Sequence, residues 1–371
     1  MCSAAREDRA TPGTRESLAQ QFSKAIDSHH QRRQIFRTTE NDPANHTEHH
    51  EGMFYTVPPE HFHQWMRKGL TVNMYRMANA FNESSLMVRR PATELIGYLQ
   101  MAEYTMPVIR YLLYGEYGSG KSTSLAHVMH YCGTQGWLIL HVPWGAFFNR
   151  YSRDVQPSVY RPGRLDQPLE AAEWMTYFRQ MNESLLTQLN IKVQHKYVWN
   201  KRESAEVGTP LAEVMEFGLA RVKYAADVVG AVLKEIRLQA APQGFKVLMA
   251  VDGVNAFWST TNIKVEDDRT KRHNAGNLSL VHHFKKMIRS DWSNGAVIGT
   301  VDAYANDEDQ RESYLPRYVL GKEGFEWLDP HIPIYVPNYS EKEALSCLQY
   351  YIDRKWLQNP KCKVALSRLQ K

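Results

Sequence analysis

Eight consecutive residues carry the chemistry that can be read first. Gly115, Glu116, Tyr117, Gly118, Ser119, Gly120, Lys121 and Ser122 match the pattern G-x-x-x-x-G-K-[ST]. Glycines at these spacings let the backbone curl until its N–H groups converge on phosphate oxygens. Lys121 supplies the cation for the terminal phosphates, Ser122 supplies a hydroxyl able to ligate Mg²⁺, and Thr123 is counted with them at the helix start. The flanks are those the motif requires. Residues 108–114 are apolar enough for a buried strand, and 122–129 continue at helical spacing. A chance glycine-rich turn is the competing reading, and the correct order of strand, loop and helix weighs against it. The loop is expected to bind a nucleoside triphosphate or diphosphate.

Such a loop needs a carboxylate that holds the metal, usually one that ends a nearby apolar strand. Val247-Leu248-Met249-Ala250-Val251 delivers Asp252 to the carboxyl edge of the sheet, so Ser122 and Asp252 are the expected Mg²⁺ ligands, Asp252 through water. An ordinary turn aspartate before Gly253 is the alternative. In additional-strand ATPases the next residue is often a glutamate that activates the attacking water, whereas here Gly253, Val254 and Asn255 follow. General-base assistance worth about 10²- to 10⁴-fold is missing at that position. Hydrolysis is expected to be slow or absent unless another residue substitutes. Thr300 fits two readings equally, a polar residue sensing the γ-phosphate or a plain strand-end hydroxyl. The guanine-reading sequence Asn-Lys-x-Asp is approached only by Asn200-Lys201-Arg202-Glu203, in a polar loop without the strand the motif needs. The residues themselves leave GTP against ATP open.

The elements that must position these groups follow from apolar runs at 108–114, 137–142, 245–251, 296–301 and 332–336. Near-continuous apolar strands alternating with helices predict an α/β fold with a parallel five-stranded sheet covered by helices on both faces. With the loop, this predicts a P-loop NTPase of the additional-strand, AAA+-like type. A helical insertion is expected at about 166–240. There Asp166 caps a helix with Pro168 in its first turn, and Trp174, Phe178, Met181, Leu185 and Leu189 form one stripe. Thr209-Pro210 opens a second helix with Leu211, Val214, Gly218, Val222, Ala225, Val229 and Leu233 on one face. Ser340 and Glu343 form a capping box that starts a helix running to about Trp356.

Three regions are expected: a polar, extended arm over 1–55 that orders only against a partner, the nucleotide-binding domain over 56–310, and a segment over 311–371 with the fifth strand and a C-terminal helix. The arm's histidines, His29, His30, His46, His49 and His50, lack ligand spacing and read as a solvated or partner-facing strip.

Composition bounds the rest. At 371 residues with 43% hydrophobic content the chain can bury a large core, while no run approaches the roughly 20 apolar residues that span a bilayer. A net charge of +5 is compatible with an RNA neighbour but does not demand one. Cys2, Cys132, Cys347 and Cys362 form no C-x-x-C pair, which argues against a disulfide scaffold and for a reducing compartment. Arg6, Arg9 and Arg15 suit a mitochondrial transit peptide, whereas Glu7, Asp8 and Glu16 do not, so composition leaves targeting open.

Several stretches carry a more specific likeness: 111–116 (Tyr-Leu-Leu-Tyr-Gly-Glu), 166–170 (Asp-Gln-Pro-Leu-Glu), 196–204, 251–256 (Val-Asp-Gly-Val-Asn-Ala) and 320–325 (Leu-Gly-Lys-Glu-Gly-Phe). Together with Asp42-Pro43-Ala44-Asn45-His46-Thr47-Glu48 and Glu51-Gly52, the chain resembles the mitochondrial small-subunit ribosomal family of death-associated protein 3 from about residue 38 to 358. The resemblance implies a guanine-nucleotide-binding component of the small-subunit head in the mitochondrial matrix. It implies GTP or GDP with Mg²⁺ as ligands, and neighbouring small-subunit proteins, small-subunit rRNA and the large subunit as partners. It also implies a role in apoptosis. Two departures stand out. Tyr117 and Ser119 occupy places where a lysine and a threonine are familiar in vertebrate members, and the chain after Gln358 does not resemble the family's tail, as if the final helical segment were truncated.

Two functions compete on these residues: a structural ribosomal protein steadied by its nucleotide, and an active NTPase in ribosome assembly or remodelling. A small-molecule kinase shares the loop but wants an arginine-rich lid that the sequence lacks.

Overall fold

The apolar runs form the strands expected of them: four are buried inside the sheet, and the fifth, Ile332–Tyr335, lies at its edge with only Ile334 buried. A computed structural model describes residues 35–70, 72–266, 270–305 and 313–358. The chain divides into two units. One comprises residues 37–344; the other has as its described part 35–36 and 345–358.

In the larger unit, β1 (Phe54–Thr56) pairs antiparallel with β2 (Ser85–Met87), and α1 (Arg90–Met101) follows. The Gly115–Ser122 loop joins β3 (Ile109–Tyr114) to α2 (Lys121–Thr134), succeeded by β4 (Leu138–Val142). Next come α3 (Pro168–Met181), α4 (Glu183–Leu189), α5 (Leu211–Ala220) and α6 (Ala225–Gln243). The series ends with β5 (Val247–Val251), α7 (Ser279–Met287), β6 (Gly295–Thr300), α8 (Gly321–Leu328), β7 (Ile332–Tyr335) and the start of α9 (Glu341–Asp353).

The sheet order is β7-β3-β6-β5-β4, with every pair parallel. One strand, β6, therefore lies between the loop-bearing β3 and the aspartate-bearing β5; Ile298 is level with both Tyr111 and Ala250. Side chains alternate across the sheet. Tyr111, Leu113, Ile139 and Ile298 pack with Leu95, Leu99, Leu125 and Met129 of α1 and α2. Leu112, Leu140, Met249 and Val297 pack on the other face with Trp174, Phe178, Val229 and Phe284 of α3, α6 and α7.

Four expectations are corrected. Asp166 does not cap α3: it lies in a short strand, Leu165–Asp166, where Ser279 Oγ donates to its carboxylate, and Gln167 holds the cap position. The stripe ending at Leu189 is not one helix, because the Asn182 side chain leaves the helical path to pair with the edge strand. Its Nδ2 donates to Ile139 O (2.9 Å), and its Oδ1 accepts from Ile139 N (2.8 Å). The Thr209-Pro210 helix likewise breaks at Arg221 (φ −115°), so α5 and α6 fold back and bury Val214, Met215, Val228 and Val229 in one core. From residue 37 the polar arm is not extended. Its His46 is 7% exposed and its Nδ1 lies 2.8 Å from His127 Nε2 on α2, so this stretch packs against the chain's own loop-bearing helix. His29 and His30 lie outside the described residues.

The fifth strand belongs to the same sheet as the loop, with Ile334 level with Leu113. Ser340 and Glu343 form the expected capping box: Glu343 N donates to Ser340 Oγ (3.3 Å) and Ser340 N to Glu343 Oε2 (2.8 Å). Among the described residues no helix is long and apolar enough to cross a membrane.

Candidate functional site

The loop leaves β3 at Tyr114 and enters α2 at Lys121, so its backbone turns sharply at the carboxyl edge of the sheet. Gly120 makes that turn with φ +96°, a left-handed conformation that suits glycine. Lys121 Nζ donates to the carbonyls of Gly115 (3.0 Å) and Glu116 (2.8 Å), acceptors that phosphate oxygens can replace. Burial depresses the Lys121 pKa, and the charges of Asp302 and Asp252 oppose that depression. Ser119 is 3% exposed and its hydroxyl has no hydrogen-bond partner among the described residues, which leaves a polar atom inside the cradle for a ligand. Glu116 accepts from Asn338 Nδ2 (2.6 Å), Thr123 Oγ1 donates to Gly120 O (2.8 Å), and Tyr117 is 72% exposed.

Asp252 stands one residue beyond β5 and receives the hydroxyls of both Ser122 and Thr300. Thr300 Oγ1 also accepts from Gly253 N (2.9 Å). Removal from water raises the Asp252 pKa, and the two hydroxyls hold it back. Three residues 178 positions apart at the extremes are thus joined at one corner of the sheet. Ser122 and Asp252 are placed to share Mg²⁺, which typically takes one or two protein groups with water and phosphate oxygens completing the shell. Gly118 lies with φ +79° in the same cradle. The residues present fit a nucleotide with its metal.

Two participants were missed in the sequence. Arg89, 3% exposed, sends Nη1 to Ser119 O, Nη2 to Pro337 O (2.9 Å) and Nε to Glu343 Oε1 (2.8 Å), with Tyr339 under its guanidinium at 4.9 Å. It fastens the Gly115–Ser122 loop to the segment that follows β7. Asp302 lies two residues beyond β6; its Oδ2 accepts from Trp144 Nε1 (3.0 Å) and its Oδ1 from Tyr304 N (3.0 Å). Gly253 has φ +70°, and a Cβ there would lie 3.4 Å from the Asp302 Cβ and 3.5 Å from Trp144 Cδ1. The space beside residue 253 therefore belongs to the Asp302 side chain. The available signals were weak: an arginine just before the helix start at Arg90-Pro91 and an aspartate two places after Thr300.

Residues 86–368 match the family described as mitochondrial ribosomal death-associated protein 3. The chain belongs to this family. Two relatives named small ribosomal subunit protein mS29 are 47% identical (Bos taurus; 89% of this chain, 82% of the relative) and 45% identical (Mus musculus; 91% and 85%). A Neurospora crassa protein of the same name is 22% identical over 59% of this chain and 46% of its own length. A chain of the solved E. coli MS115-1 HORMA:CdnC:Trip13 complex aligns over 81% of this chain and 74% of its own at 9% identity, with a TM-score of 0.29, a likeness too loose to bear on the fold. Family membership carries the expected mitochondrial, ribosomal location. It also extends to residue 368, past the Gln358 limit expected for the likeness.

Proposed function

We propose that this chain is a component of the small subunit of the mitochondrial ribosome that holds GTP or GDP with Mg²⁺ at Gly115–Ser122 and Asp252 as a structural ligand. The observation that carries the nucleotide is the hydrogen-bonded set Ser122, Asp252 and Thr300 beside Lys121, at the carboxyl edge of a parallel sheet. With β6 between β3 and β5, the strand order supports a P-loop NTPase fold of the additional-strand type. The base is taken as guanine on the family resemblance alone. The same resemblance supplies the proposed neighbours, small-subunit proteins, rRNA and the large subunit, and the proposed role in apoptosis. A ligand bound only by the folded state stabilises it by about 2.7 kcal/mol at a hundredfold excess over Kd, so no turnover is required for a structural role.

Mass spectrometry of nucleotide released from protein purified from its native particles tests this. Guanosine phosphates are expected from the wild type and none from Lys121→Ala, which should also melt lower and enter small subunits poorly. Adenosine phosphates would remove the guanine assignment, and an empty wild-type protein would remove the nucleotide.

One observation favours a second reading, an NTPase acting in ribosome assembly or remodelling. Asp302 places a carboxylate beside Gly253, where the sequence pattern lacked one. Phosphate release stimulated by small subunits and lost in Asp302→Asn would support it; no release under those conditions would leave the structural role.

A further inference from the structure

Away from the nucleotide corner, α7 presents His282, Lys285 and Lys286 beside a cavity of about 420 Å³. Lys285 is 8% exposed, and its ammonium lies 4.9 Å from the Trp258 ring centre and 4.7 Å from that of Trp327, bonded to Glu323 Oε1 at 3.2 Å. Trp258 lines the same cavity, and its Nε1 is buried without an acceptor among the described residues. The cavity thus offers a caged ammonium flanked by two indole rings, a donor that an acidic ligand group could satisfy.

Around it the surface is cationic. After burial, the groups that depress the Lys286 pKa are Arg164, Arg237, Arg161 and Lys234, all of like charge. His282, pushed down to about 4 by burial and then by Arg164, Lys286, Lys285 and Arg161, is neutral at physiological pH, and its Nε2 lies 2.9 Å from Arg164 Nη2. Asp291 answers Arg237 (3.0 Å) and Arg289 (3.5 Å). Among the described residues no carboxylate makes an ion pair with Arg161, Lys234 or Lys286. A merely solvated face has no use for a built cavity that cages a lysine, and mutual repulsion of this density works against folding unless a polyanion neutralises it.

We propose that this face docks single-stranded RNA, its phosphates running along Arg161, Lys234 and Lys286 and one nucleotide entering the cavity at Lys285 and Trp258. Arginine and lysine interleaved with indole rings suit a chain that alternates phosphates with planar bases, and an acidic peptide makes no use of the indoles. No residue of this face belongs to the nucleotide site.

The test is fluorescence anisotropy of the full chain with a labelled oligouridylate of about 20 nucleotides, titrated with salt. Single-strand binding loses a log–log salt slope of about 0.7 per phosphate neutralised. Arg161→Glu/Lys234→Glu/Lys286→Glu is expected to weaken binding by roughly tenfold or more and to lower the slope by about 2. Lys201→Glu/Arg202→Glu/Lys223→Glu, with the same charge change at exposed sites elsewhere, should stay within about twofold. If the first variant melts early, Arg161→Gln/Lys234→Gln/Lys286→Gln replaces it, with the same direction expected. Unchanged binding in the patch variant, equal losses in both variants, or no binding by the wild type at low salt would each overturn the proposal. So would polyglutamate binding as tightly as the RNA and failing in the same variant, since the occupant would then be an acidic protein.

Discussion

The guanidinium of Arg89 lies 2.8 Å from the carboxylate of Glu343, 254 positions further along the chain, and the same guanidinium holds the carbonyl of Ser119 in the Gly115–Ser122 loop. One arginine therefore couples the loop to the start of α9, whose first turn Glu343 also caps. The pair is largely buried, with side-chain exposures of 4% and 12%. Removing one member leaves the other charged and out of water, which typically costs about 3–5 kcal/mol. Arg89→Met and Glu343→Leu are each expected to lower the urea midpoint strongly, and the double variant by less than their sum. Additive losses in that cycle would show the two side chains to be uncoupled.

Asn182→Leu should destabilise by about 2 kcal/mol or more, because it strips both partners from Ile139 N and O on the edge strand. Asn182→Asp should recover the bond to Ile139 N but not that to Ile139 O. Chemical denaturation of the three proteins checks the order.

Gly253→Ala should cost about 1–2 kcal/mol, since φ is +70° at that turn. Gly253→Glu should be no more active in phosphate release than the wild type, because its Cβ would face Asp302 at 3.4 Å while the backbone is strained. A gain in single-turnover hydrolysis would show that the turn can accommodate a glutamate after all.

Stability should fall on mild acidification. His130 is fully buried, with its Nδ1 3.1 Å from Tyr55 OH and its Nε2 3.1 Å from His61 Nδ1. Burial, then the charges of His61 and His46, push its pKa down to about 3, and burial alone brings His141 to about 3. Both values lie below the unfolded value of 6.5, so the unfolded chain takes up protons first. Their contribution is complete above about pH 6.5 and is lost as pH falls toward about 3, at up to about 1.4 kcal/mol per unit for each histidine. Urea midpoints at pH 7.5 and 5.5 should differ in the wild type and differ less in His130→Phe; equal differences would exclude His130 as a source.

The sequence by itself determined the local features. Continuous apolar runs favour the interior of a covered sheet, and all five strands lie within two residues of the expected limits, although β7 at the edge buries only Ile334. The strand–loop–helix order around Gly115–Ser122, the place of Asp252 at the end of β5 and the Ser340–Glu343 cap were legible because each depends on spacing within a few residues. Tertiary structure alone decided what crosses the chain. Asn182 was invisible as a helix breaker because its reason to leave the helix is an unpaired edge at Ile139, and the packed arm at His46 depends on His127 of α2. Arg89 looked like one of two arginines before a proline, and Asp302 like a loop residue, until the sheet brought Ser119, Glu343, Gly253 and Trp144 to them. Hydrophobic periodicity records which face of an element is buried, whereas a polar side chain's role depends on the partner that meets it, and that partner is set only when the elements pack.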